Sequence, residues 1–131
     1  DCTRTYAVGR PAQEFLDRFA VLQQAQDAAV RWARAGVTCE SVDAAARTVL
    51  THAGLGAEFI HRTGHGIGLE THEDPYIVAG NDLVLEPGMA FSIEPGFYVE
   101  GRFGARIEDI VIATDDGVLV ANHQPRELVV A

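Results

Sequence analysis

The sequence predicts an α+β fold, two helices packed on a curved, mainly antiparallel sheet. Two stretches between Ala12 and His52 repeat apolar residues at helical spacing. The second half instead carries ten glycines from Gly56 onward and no helical period. It offers short β-like runs punctuated by turn residues, and helices followed by such strands form an α+β layer.

Each element has its own signal. Cys2 to Val8 alternates β-branched and aromatic residues with polar ones, a strand pattern that Gly9 and Pro11 end. From Ala12 to Ala35, Phe15, Phe19, Leu22, Ala25, Ala29 and Trp32 mark the inner face of a long amphipathic helix, stopped by Gly36. Thr38 or Ser41 caps a second helix from Glu40 to His52, with Val42, Ala45, Ala46 and Val49 turned inward. Gly54 sits where a left-handed residue closes such a helix. Met89–Ile93, Phe97–Val99, Ala105–Ala113 and Val118–Ala121 read as strands, with Pro87-Gly88, Gly101 and Asp116-Gly117 as turns. No repeat or linker divides residues 1–131, so they are read as one partial domain.

Composition narrows the function. The formal charge is −9, from 19 acidic residues against 10 basic ones, all arginine. A nucleic-acid partner is therefore not expected, because phosphates need a basic face. Polar residues interrupt every apolar stretch short of a membrane span, so no membrane partner is expected either. Cys2 and Cys39 match no metal or redox spacing and read as two buried free thiols of a reducing compartment, the cytoplasm. The chain opens in the middle of a strand pattern without an initiator methionine, so the true N-terminus is expected upstream.

The chemistry concentrates between residues 61 and 108. H-R-T-G-H-G-I-G-L-E-T-H-E-D-P places His61, His65 and His72 close together. Gly64, Gly66 and Gly68 disfavour a helix, each by about 1 kcal/mol. In an extended segment, residues 61, 63 and 65 share one side, and the glycines let other backbone or a ligand approach. Glu94 and Glu108 lie in apolar, strand-like surroundings, A-F-S-I-E-P-G-F-Y and A-R-I-E-D-I-V-I-A. A hairpin turning near Gly101 can set them opposite each other, where two facing carboxylates repel unless a proton or cation lies between; strand alternation equally allows either to face solvent from an edge strand.

Hard and borderline cations favour carboxylate oxygens with one or two imidazoles, a set that Asp1, His65, Glu94 and Glu108 supply. A cation there would polarise a carbonyl and acidify water, the logic of metal-assisted hydrolysis. Arg106, two residues before Glu108, shares its strand face and can brace a ligand carboxylate. No nucleophile elbow, Walker loop or H-E-x-x-H helix competes, and G-H-G-I-G lacks the strand-to-helix context of a dinucleotide fingerprint.

Together these segments resemble the pita-bread metallopeptidases, within them the Xaa-Pro dipeptidase and aminopeptidase P group. D-C-T-R-T-Y-A-V-G resembles that family's S-D-x-T-R-T strand, which implies that Asp1 bridges two metals. The histidine segment implies His65 as a ligand, with His61 and His72 lining the substrate site and His72 also catalytic. S-I-E-P-G-F-Y implies Glu94 as ligand and base, with Tyr98 close behind it. R-I-E-D-I-V-I implies Glu108 as the second bridging carboxylate and Arg106 as its neighbour.

What the resemblance implies is the C-terminal half of a two-metal exopeptidase domain, with the N-terminal half absent. Its cofactors would be two divalent ions (manganese, cobalt or zinc). Its substrate would be a peptide with proline in second position, cleaved before the proline, and the complete enzyme would be a homo-oligomer. The family's first ligand, an aspartate, lies upstream of the Asp1 position. At most one well-held metal and little turnover are thus expected of this chain. Methionine aminopeptidases share G-H-G-I-G, but Asp109 after Glu108 favours the proline-directed branch. A catalytically silent peptide-binding module is the remaining alternative.

Overall fold

A computed structural model describes all 131 residues. The first strand pattern survives only as β1 (Tyr6–Ala7), with an isolated bridge from Thr3 to Glu108. The predicted Cys2–Val8 strand is therefore shorter, because its only partners are Glu108 and β9 (Val129–Val130), which pairs parallel to β1. Cys2 is exposed rather than buried, and only Cys39 lies in the core.

Helical spacing turns Phe19, Leu22, Ala25 and Ala29 of α1 (Gln13–Trp32) into the core. Phe15 is half-buried, its ring edge-on to Phe97 and Phe103. Trp32 departs from the expected inner face: it is 44% exposed and its indole N–H donates to Ser41 Oγ at 3.0 Å. The helix also stops short of Ala35, because sheet-side carbonyls take the next amides. Ala35 N donates to Thr114 O and Gly36 N to Leu85 O. In α2 (Cys39–His52) the Thr38 hydroxyl accepts from Ser41 N, satisfying one of the free amides of the first turn. Gly54 follows the helix with φ +79°, as a left-handed closing residue should. Cys39, Val42, Ala46 and Leu50 are buried, whereas Ala45 and Val49 are only half-buried.

The rest of the chain supplies β2 (Gly64–Gly66), β3 (Glu73–Ile77), β4 (Ala90–Ile93), β5 (Gly96–Val99), β6 (Phe103–Arg106), β7 (Asp109–Ala113) and β8 (Val118–Val120). Five of these form one antiparallel sheet in the order β3-β2-β4-β7-β8, and β5-β6 form a separate hairpin. β3 carried no clear sequence signal, since E-D-P-Y-I contains a proline; the Asp74-Pro75 bond is cis. The main core joins Ala25, Ala29, Leu50 and Phe59 to Ile77, Phe91, Ile93 and Val111, so both helices cover one face of the sheet.

Strand register places the site. β5 pairs β6 from Gly96↔Arg106 to Val99↔Phe103, and β4 pairs β7 from Ala90↔Ile112 to Ile93↔Asp109. Both ladders keep one register about the same turn. The single strand predicted over Ala105–Ala113 is nevertheless two strands, broken at Ile107 and Glu108. At that break Glu108 leaves its hairpin partner and bridges Thr3 instead. Glu94 occupies the matching gap on the other side, its amide donating to Thr63 O at 2.7 Å. The two glutamates thus sit where the ladder opens, a place where side chains turn toward a common point.

Candidate metal centre

Gly64 and Gly66 let β2 lie close between its neighbours. A Cβ on Gly64 would fall on the Ser92 carbonyl, and one on Gly66 on the Asp74 carbonyl. The β2–β3 register shifts between these glycines, so strict alternation fails across the segment. Thr63 is taken up by Asp43 of α2, whereas His65 points to the carboxylates.

His65 is buried, and its Nδ1–H donates to Gly66 O at 2.9 Å. A carbonyl only accepts, so this bond fixes the tautomer and leaves the lone pair of the neutral ring on Nε2. That lone pair faces Glu94 Oε1 at 3.2 Å and Asp1 Oδ2 at 3.6 Å. Donor atoms of Asp1, His65 and Glu108 all lie within 4.8 Å of one another. Acceptors aimed at acceptors repel, and more carboxylate oxygens converge here than one proton can join. A divalent cation satisfies all of them, and an N/O donor set of this kind is what borderline cations take.

Glu94 stands slightly apart. It touches His65 but is not among the three mutually close donors. Its Oε1 accepts from Ser92 Oγ at 2.9 Å and its Oε2 from Arg106 Nη1 at 2.8 Å. Arg106 therefore braces Glu94 across the hairpin. Its pKa is raised: burial opposes its charge, but the hydrogen bond to Glu94 outweighs that together with attraction from Tyr98 and Glu94. Glu108 is buried, and Thr3 Oγ1 donates to its Oε2.

The remaining predicted residues line an adjoining cleft of ≈ 240 Å³ formed by His61, Arg62, His72, Glu94 and Arg106, with no apolar lining residue. The exposed His72 ring packs edge-on against His65, centroids 4.6 Å apart. His61 Nδ1–H donates to Arg62 O at 2.8 Å, so its Nε2 accepts from the Tyr98 hydroxyl at 3.3 Å. Tyr98 thus supports His61 as well as standing near Arg106. Burial is the main influence on His61 and lowers its pKa below the usual imidazole value.

Three contributors escaped the sequence reading. Ser92 accepts from His65 N and donates to Glu94, so it fixes two site residues at once; its signal was its place two residues before Glu94 on the same strand face. Arg62 lies beside the cleft with a buried, unpartnered Nε, its guanidinium over Tyr76. Asp43 holds the histidine segment from α2 and had no motif to betray it.

Comparison with known proteins identifies the family. Residues 1–115 match metallopeptidase family M24. The chain is 63% identical over 99% of its length to "Probable dipeptidase PepE" of Mycobacterium tuberculosis, covering 35% of that protein. It is 49% identical over 98% of its length to "Xaa-Pro dipeptidase" of Lactobacillus helveticus, again covering 35% of it. Among solved structures, the Xaa-Pro dipeptidase from Bacillus anthracis superposes with a TM-score of 0.98 at 44% identity, over 100% of this chain and 37% of that one. Dipeptidase PepE from Mycobacterium ulcerans gives 0.97 at 60% identity, over 99% of this chain and 35% of that one. The chain thus spans about a third of the length of these relatives. Helices on an antiparallel sheet and a family match over residues 1–115 place the chain in metallopeptidase family M24.

Proposed function

We propose that this chain forms part of a two-metal exopeptidase that cleaves the peptide bond before a proline in second position. The observation that carries the reading is the Asp1, His65 and Glu108 cluster, with Glu94 against the same imidazole lone pair. The names borne by several relatives, Xaa-Pro dipeptidases, support the proline specificity.

Asp1, His65, Glu94 and Glu108 would hold the metal, manganese, cobalt or zinc. When bound, it supplies Lewis acidity toward the scissile carbonyl and lowers the pKa of water. Glu94, held in orientation by Ser92 and Arg106, would take a proton from the attacking water and pass it to the proline nitrogen as the C–N bond breaks. His72 lies against His65 at the cleft edge, where it can donate to the oxygen on which charge develops. His61, steadied by Tyr98, positions the substrate beside it. Arg62 and Arg106 give the cleft a basic edge for a short peptide's carboxylate.

The test is calorimetric. Manganese should bind stoichiometrically, the loaded protein should bind Ala-Pro in preference to Ala-Ala, and His65→Ala should abolish both. Proline release is read in the same samples. If manganese does not bind, or binds equally well to His65→Ala, the reading fails in favour of a silent peptide-binding module.

A further inference from the structure

Asp109 is a buried charge next to the site that the proposed chemistry leaves unused. Its residue is fully enclosed and its carboxylate takes three donors. Arg4 Nη2 donates to Oδ1 at 2.6 Å, while Arg126 Nε at 2.6 Å and Gln26 Nε2 at 3.0 Å donate to Oδ2. Asp109 opens β7 and pairs with Ile93 of β4, so the central ladder makes it a fixed point.

Arg4 carries that fixed point to the metal ligands. Its Nη1 donates to Thr3 O at 2.9 Å and to Glu108 O at 2.8 Å. Its Nε and Nη2 also reach Gln124 O. Without these contacts, the residues around Asp1 would be held to Glu108 by the Thr3 hydroxyl and by the Thr3–Glu108 bridge, whose two backbone bonds are long at 3.3 and 3.2 Å. The charge balance points the same way. Arg126 has a second carboxylate in Asp27, at 3.3 Å, whereas Asp109 is the one carboxylate paired with Arg4. The Arg4 side chain is 7% exposed, so water does little to screen it.

We propose that Asp109 is a positioning residue of the metal centre. Through Arg4 it seats the Asp1–Thr3 segment against Glu108, and it neutralises a guanidinium that would otherwise oppose cation binding. The inference rests on the metal-site reading of the preceding section.

Manganese titration of wild type, Asp109→Asn and Arg4→Met tests it, together with amide exchange on the metal-free proteins. Arg4→Met is included because it breaks the same link while leaving Asp109 in the central ladder with Arg126 and Gln26. Affinity should fall tenfold or more in both variants. The Glu108 amide, which donates to Thr3 O, should exchange faster, while the Ala113 amide, which donates to Met89 O, stays protected. Wild-type affinity in either folded variant overturns the proposal. So does acceleration at Ala113 equal to that at Glu108, since the loss would then be global. Wild type that binds no manganese overturns the metal-site reading and this inference with it, a result distinct from equal binding by all three.

Discussion

Replacing Asp43 by alanine should cost about 3 kcal/mol of stability and loosen the histidine segment. Asp43 is 1% exposed and accepts from Arg47 Nε at 2.8 Å, Arg47 Nη2 at 2.9 Å, Thr63 N at 3.2 Å and Thr63 Oγ1 at 2.7 Å. Arg47 in turn donates to Phe59 O and His61 O and lies over the Phe59 ring. One acid on α2 therefore ties down the residues that lead into His61 and His65. Removing one partner of a buried ion pair costs about 3–5 kcal/mol. The Arg47 side chain is 31% exposed and partly rehydrates when left alone, which selects the lower end of that range. At an unfolding entropy of about 2.1 cal/mol/K per residue, a 3 kcal/mol loss lowers Tm by about 11 °C in a chain this long. Urea unfolding followed by circular dichroism measures the loss, and a cycle with Arg47→Met isolates the pair. A loss below about 1 kcal/mol, the range of exposed ion pairs, would refute the argument.

Other outcomes follow from single features. Gly64→Ala should destabilise by at least about 2 kcal/mol in urea, because its Cβ meets the backbone carbonyl of Ser92, which cannot move without breaking the ladder. His61 should titrate below the usual imidazole value of 6.5 by NMR, its charged form disfavoured by burial. With the folded pKa depressed, its contribution to stability is full above about pH 6.5 and is lost as pH falls toward the folded pKa; His61→Phe should remove that part of the pH dependence. Burial pushes the Cys39 thiol up to about 11, and Cys2 is exposed, so a thiol reagent at pH 7 should modify one cysteine per native chain and both in urea.

The sequence by itself determined the kinds of element and much of the register. Phe19, Leu22, Ala25 and Ala29 could only be the inner face of a helix, and the turn at Gly101 fixed which residues of the hairpin oppose one another. It also supplied the donor types, because imidazole and carboxylates in glycine-rich, apolar surroundings are costly unless they meet a partner. Periodicity, however, reports which face a residue takes within its own element, not which elements meet. Trp32 fits the helical stripe yet is exposed, because α1 stops beneath it. The gap in the ladder at Glu94 and Glu108, the crossing of Thr3 into that gap and the turn of His65 away from Thr63 are contacts between segments distant in sequence. Only the tertiary structure decides them. The same holds for two buried acids: Asp43 and Asp109 carry no ligand motif in the sequence, and each becomes a clamp because the fold brings distant backbone to the arginine it pairs with.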